Sequence, residues 1–162
     1  MVTMRSLALT LFIVCAGALF PSCDQNSVRP TPLTSLDVKV VGGFVTANLM
    51  PIVEPDPLYC RLTLSVRNTS SDGSFYGLGV REGTVFLDAD HATLGRFRFT
   101  SDWDGRLAPG ETDTVHLTKL ASSFSGFTPP CGARVGISFA VEDFARNALP
   151  VTADSLPVLC VY

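Results

Sequence analysis

The sequence predicts an all-β protein whose strands form an antiparallel sandwich, with a β-barrel as the second choice. Apolar residues recur at every second position through much of the chain, which is typical of strands with one buried and one solvated face. Clusters of turn-forming residues separate these runs. No run beyond residue 35 has the periodicity of an amphipathic helix.

The alternating runs define the expected strands in chain order. Segment 36–50 contains one or two strands, because Gly42-Gly43 interrupts it. Turn clusters follow at 68–73 (NTSSDG), 102–105 (DWDG) and 108–110 (APG). Counting the runs gives about seven or eight short strands. The apolar positions that alternate within the later runs are Leu62, Leu64 and Val66, then Phe97 and Phe99, then Val115 and Leu117, then Val135, Ile137, Phe139 and Val141.

The first 22 residues differ in character from the rest of the chain. Arg5 is followed by an uncharged apolar run from Leu7 to Phe20. A positive charge before an apolar core of this length is typical of a secretory signal peptide. The run is too short to span a bilayer, which takes about 20 apolar residues. We therefore expect residues 1–22 to be a signal peptide and the protein to be exported.

The residues around Cys23 leave two cleavage schemes open. The tetrapeptide FPSC, which ends at Cys23, resembles a bacterial lipoprotein signal, and this resemblance implies that Cys23 becomes a lipid-bearing N-terminus. The polar, proline-containing stretch 23–35 then serves as a flexible tether. The alternative is ordinary cleavage after Ala18, which ends an A-x-A site and leaves an even set of four cysteines. We prefer the lipoprotein interpretation because of the tether.

Three further stretches resemble bacterial immunoglobulin-like and fibronectin-III-like modules. They are LTLSVRNTS at 62–70, LAPGETDTVHL at 107–117 and SFAVEDFARNALPV at 138–151. In such modules they form a core strand, a Pro-Gly turn that leads into a later strand, and the last hairpin. The resemblance implies that residues 36–162 form one antiparallel immunoglobulin-like sandwich of about seven or eight strands.

The cysteines of this region allow two disulfide pairings. A last hairpin centred between Ala145 and Arg146 places Cys131 and Cys160 opposite each other on neighbouring strands, which is our first choice. The alternative joins Cys60 to Cys131 between the layers, because Cys60 shares the inward parity of the strand that follows it. A free Cys60 would serve as a small buried hydrophobe.

Composition and motifs give little indication of catalysis. The net charge of −3 provides no electrostatic footprint for nucleic acid. The sequence lacks H-E-x-x-H, G-x-S-x-G, S-x-x-K and P-loop motifs, so we predict no catalytic residues and no cofactor. One alternative is a small envelope hydrolase built on His91 and Asp88. Another is a calcium-stabilised sandwich secreted without lipid, with Asp102 and Asp104 as weak ligand candidates, although Asp is also an ordinary turn residue.

The loops at 68–77 and 101–111 are the expected contact surfaces. They are rich in Gly, Asp and aromatic residues, and Phe75, Tyr76 and Trp103 are the candidate contact side chains. We therefore expect an exported, lipid-anchored protein of the cell envelope that carries a binding or structural module. Its expected partners are the membrane, through the N-terminal lipid, and an envelope protein or glycan.

Overall fold

A computed structural model describes residues 31–48, 58–121 and 123–161. The predicted signal peptide, Cys23 and the first residues of the predicted tether lie outside this part. The described residues contain eight strands and one 3-10 turn at Leu33–Ser35. The strands are β1 Leu36–Asn48, β2 Leu58–Asn68, β3 Gly79–Leu87, β4 Thr93–Ser101, β5 Thr112–Lys119, β6 Ser125–Gly126, β7 Arg134–Glu142 and β8 Ala148–Val161.

The all-β prediction is confirmed, and the alternating residues face inward as expected. Every second residue of β2 from Leu58 onward is buried, and the same holds for β7 from Ile137 onward. These side chains meet in one apolar core inside the sheet. Its largest fully buried members are Leu62, Leu64, Leu107, Leu117, Ile137, Val45, Val66, Val85, Val115, Val135, Val141 and Val158.

The strands close into a seven-stranded mixed β-barrel, so the predicted antiparallel immunoglobulin-like sandwich is wrong. Around the barrel the order is β3-β7-β8-β1-β2-β5-β4, and β4 pairs again with β3. The short β6 adds to β4. The sheet is mixed because β1 and β8 run parallel where they pair, at Val45–Asn48 and Val158–Val161.

Two strands close the barrel because each pairs with different neighbours along its length. In β4, Thr93–Arg98 pairs with β3, whereas Phe99–Ser101 pairs with β5. In β8, residues 148–157 pair with β7 and the last residues pair with β1. Alternation in a sequence reports only which face of a strand is buried. A sandwich and a barrel bury the same faces, so the pattern did not distinguish them.

The two ends of the barrel are called the tether end and the disulfide end. The tether end is where β1 begins and includes the loops at 69–78, 102–111 and 143–147. The disulfide end is where β1 stops and includes the connections at 88–92 and 120–133, together with Cys131 and Cys160.

Candidate binding site

A cleft of about 820 Å³ opens in the barrel wall between the first parts of β1 and β8. The two strands pair only at their last residues, next to the disulfide end. Toward the tether end they separate, and the cleft between them is lined by 36–43, 149–152 and 154–157. We call the boundary between β1 and β8 the β1–β8 seam. The barrel is closed by hydrogen bonds at the end of this seam next to the disulfide and is open along the rest.

Both lips of the cleft are strand edges. Residues 36–43 pair with β2 on one side only, and residues 148–157 pair only with β7. Within the described part of the chain, no strand pairs with the sides that face the cleft. Backbone N–H and C=O groups require hydrogen-bond partners, so such an edge is a template for pairing with another extended chain.

Each lip carries a β-bulge, which explains why the strands diverge. The register of β1 shifts between Val40 and Gly42, so the predicted interruption at Gly42-Gly43 is a bulge within one strand. In β8 the register shifts next to Ser155, whose φ is +56°. A bulge bends its strand and increases the local twist. Two bulges on facing strands turn the two edges away from each other.

The surface of the cleft is mostly polar, with a short strip of apolar side chains at its base. Val38 and Val40 from β1 and Leu149 from β8 are only partly buried, although they pack against the core. On the rim, Lys39 Nζ lies 2.8 Å from a carboxylate oxygen of Asp37. An alternating apolar strip between two backbone edges suits an extended segment that buries every second side chain.

The two loops predicted as contact surfaces meet at the tether end. Phe75 and Leu107 exchange backbone hydrogen bonds of 2.9 and 3.2 Å. Phe75 is buried in the core, whereas Tyr76 is 63% exposed. Trp103 packs half-buried against the core, and its Nε1 is buried without a hydrogen-bond partner among the described residues. Of the three predicted contact residues, Tyr76 is the one at the surface.

Asn68 holds these loops together, a role that the sequence analysis missed. It is fully buried, and its Nδ2 donates to the carbonyl oxygens of Gly73 (2.6 Å) and Leu107 (3.3 Å). Its Oδ1 accepts from the backbone N–H of Ser70 at 3.0 Å. The NTSSDG cluster indicated a turn, but Asn68 also continues the alternation of Leu64 and Val66, which was the signal that it points inward.

Both predicted calcium candidates accept hydrogen bonds from backbone N–H groups. Asp102 Oδ1 accepts from His116 on β5 at 2.8 Å, which ties the 102–111 loop to that strand. Asp104 Oδ1 accepts from Arg106, two positions on, at 2.9 Å, a contact typical of turns. Over the described ranges, no three His, Cys, Asp or Glu side chains converge in a group able to hold a metal ion.

The residues of the hydrolase alternative lie at the disulfide end. Ser155 donates a hydrogen bond to Asp88, which ties the β3–β4 turn to the bulge of β8. The ring of His91 packs against Phe86, with 5.5 Å between the ring centroids. The Ser155 hydroxyl therefore donates to the carboxylate of Asp88. None of the hydrogen bonds among the described residues joins Ser155 to the imidazole of His91.

Cys131 and Cys160 are the cysteine pair at disulfide distance. Their sulfur atoms are 2.11 Å apart and their Cα atoms 5.6 Å apart. Cys60 is a free thiol in the core, so the alternative pairing of Cys60 with Cys131 is not formed. Burial raises the pKa of the Cys60 thiol to about 12, and the nearby positive charge of Lys119 acts in the opposite direction.

No protein-family model matches this chain, and no curated protein matches it. None of the helical residues in the described part forms a helix that is long and apolar enough to cross a bilayer.

Proposed function

We propose that this protein is an exported, lipid-anchored binding module of the cell envelope, and that the β1–β8 cleft holds an extended segment of another envelope protein. One observation carries the proposal. Two strand edges, each unpaired on the side toward the other, face each other across an opening whose base carries the partly buried side chains of Val38, Val40 and Leu149. The anchor is Cys23, on the resemblance of the preceding residues to a lipoprotein signal.

The segment binds by adding a strand to the barrel. Its backbone pairs with the free edge of β1, of β8, or of both, and main-chain hydrogen bonds supply much of the affinity. Every second side chain points inward onto Val38, Val40 and Leu149. Lys39 on the β1 lip and Pro150 on the β8 lip are residue types that discourage unselective pairing of strand edges. The cleft is therefore suited to one segment rather than to self-association.

Crosslinking from the lip of the cleft tests this binding mode. Val41 is 60% exposed at the bulge of β1, and Leu159 is 54% exposed on β8 outside the cleft. A photoreactive amino acid at position 41 of the intact anchored protein should crosslink one envelope protein, through a segment with alternating apolar residues. The same group at position 159 is the matched control and should give no such product. Equal products from both positions, or a product with glycan alone, would contradict the proposal.

Intact-mass analysis of the mature protein tests the anchor. We expect a chain that begins at Cys23 and carries the mass of two or three acyl chains. Changing Cys23→Ser should move the protein from the membrane fraction to the soluble fraction without changing its thermal unfolding. An unmodified chain that begins at Leu19 would reject the anchor and support ordinary signal cleavage.

A further inference from the structure

We infer that the tether end of the barrel rests on the lipid bilayer, with Phe144 and Tyr76 in the membrane interface. This inference depends on the proposed lipid anchor at Cys23. The occupant of this surface is the lipid to which the protein's own N-terminus is attached, not a further protein.

The chain enters the barrel at the tether end. Thr31 Oγ1 donates to the carbonyl oxygen of Ser74, in the β2–β3 loop, at 3.2 Å. The backbone N–H of Thr69, in the same loop, donates to the carbonyl oxygen of Ser35 at 2.7 Å. From Leu36 onward β1 runs away from this end. The point at which the tether joins the domain is thus fixed beside the loops of one end.

At full extension the tether is about as long as the barrel is tall. Thr31 follows Cys23 by eight positions, which at full extension reach at most about 29 Å. The 13 residues of β1 extend over about 40 Å along the strand, and the roughly 35–45° tilt of barrel strands leaves about 30 Å of this along the barrel axis. Only a fully extended tether reaches the level of the disulfide end, so a lipid on Cys23 keeps the tether end closer to the bilayer.

Two exposed aromatic side chains project at this end. Phe144, in the loop at 143–147, is 91% exposed, and Tyr76 in the β2–β3 loop is 63% exposed. The Phe144 side chain lies over Gly77, where an added Cβ would meet its atoms at 3.5 Å. Gly77 directly follows Tyr76 in the chain, so Phe144 packs against the residue beside Tyr76. Aromatic side chains favour the boundary between headgroups and acyl chains.

The charged groups beside Phe144 suit a headgroup layer. Arg81 and Arg146 line a small opening of about 280 Å³ together with Phe144. Arg81 Nε lies 3.8 Å from a carboxylate oxygen of Glu142, so Arg146 is the better placed of the two to reach a phosphate while its aromatic neighbour inserts. The carboxylate of Asp143 accepts two hydrogen bonds from Asn147, of 2.8 and 2.7 Å, and is thereby committed to its own loop.

Carboxylates also lie around this end, so net charge does not supply the attraction. They include Asp72, Asp102, Asp104, Glu111 and Glu142. We therefore expect contact to depend on the aromatic side chains and to persist in vesicles without anionic lipid.

The two ends offer a matched pair of exposed phenylalanines for a test. Phe144 marks the tether end, and Phe127, which is 81% exposed, marks the disulfide end. Phe144→Cys and Phe127→Cys would each be labelled with an environment-sensitive fluorophore. The fluorophore should react with the introduced thiol, because Cys60 is buried and Cys131 is bonded to Cys160. Each labelled, lipidated protein is then incorporated into phosphatidylcholine vesicles that contain brominated lipid.

We expect the fluorophore at position 144 to be quenched at least threefold more than the fluorophore at position 127. The same label at 144 on a Cys23→Ser chain should lose most of that quenching. Equal quenching at the two positions, or stronger quenching at 127, in a protein whose mass shows the lipid would overturn this inference and leave the anchor intact. A chain without the acyl mass would instead overturn the proposed anchor.

Discussion

Cys60 shows how the interior of the barrel changes the chemistry of one side chain. It lies fully buried on β2 among apolar neighbours. Burial raises the pKa of its thiol from an ordinary value of 9.0 to about 12, against the opposing charge of Lys119. The thiolate is the reactive form of cysteine, so in the folded protein Cys60 acts as an apolar side chain.

Cys60 should therefore resist alkylation until the protein unfolds. At pH 8 we expect iodoacetamide to leave it unmodified in the native state and to modify it in denaturant, as measured by intact mass. Rapid stoichiometric modification of Cys60 in the native protein would contradict its burial.

Cys60 should also make the free energy of unfolding depend on alkaline pH. The raised pKa means that the unfolded thiol ionises near pH 9.0 while the folded thiol stays protonated until about pH 12. The stabilising contribution is thus complete below pH 9.0 and is lost as the pH rises through this window, by up to about 1.4 kcal/mol per pH unit. Urea unfolding of Cys60→Ala is the control, because its curve should lack this part of the slope.

In strand β1, the two adjacent glycines Gly42 and Gly43 differ in how closely other atoms surround them. A Cβ on Gly43 would lie 2.7 Å from Leu62 Cδ2 and 3.1 Å from the carbonyl oxygen of Arg61. A Cβ on Gly42 would meet nothing within 4 Å. Gly43 therefore permits the close approach of β1 to β2 after the bulge, whereas Gly42 has room for a side chain.

Alanine substitutions should separate these two roles. Gly43→Ala should lower the free energy of unfolding by about 1–3 kcal/mol, because the added methyl group overpacks the β1–β2 contact. Gly42→Ala is the matched control and should change the free energy by less than about 0.5 kcal/mol. Both values come from urea unfolding followed by circular dichroism. Similar effects from the two substitutions would show that β1 does not follow the described register.

At the scale of the whole molecule, the closure of the barrel is confined to one end of the β1–β8 seam. Four residue pairs join the two strands, and one of them places Ala47 opposite Cys160. Cys160 is bonded to Cys131 in the turn before β7. The disulfide thus joins the end of β8 to the turn before β7, its own hairpin partner, at the place where the barrel closes.

Removal of this disulfide should loosen closure as well as destabilise the fold. The bonded residues are 29 positions apart in sequence, so we expect the double change Cys131→Ser and Cys160→Ser to cost about 2–4 kcal/mol. Hydrogen exchange should also accelerate at 45–48 more than at 62–66 of β2, which pair with β1 and β5 farther from the disulfide. Chemical reduction of the unmodified protein is the control. Unchanged exchange at 45–48 would show that the disulfide does not support the seam.

The strands themselves were predictable because their signal is local. Leu64, Phe97 and Ile137 lie in alternating runs, and all three are buried in one core. The last hairpin also lies where its turn residues indicated, at 143–147. Alternation and turn chemistry act over a few residues, so they can be read without knowing which strands are neighbours.

The candidate site was not predictable, because it depends on strands far apart in sequence. Segment 36–43 and segment 149–157 carry no motif, and their cleft exists only because β1 and β8 are neighbours. Tyr76 lies at the surface, whereas Phe75 is buried and pairs with Leu107 from another loop.

The strands, their buried faces and the positions of the turns follow from the sequence alone, since these depend on side chains a few positions apart. The closure into a barrel, the parallel pairing of β1 with β8 and the cleft between them are seen only in the folded chain. The physical reason is that hydrophobic burial rewards any arrangement that covers the same faces. The choice among such arrangements depends on backbone pairing between distant segments and on the bulges that bend them.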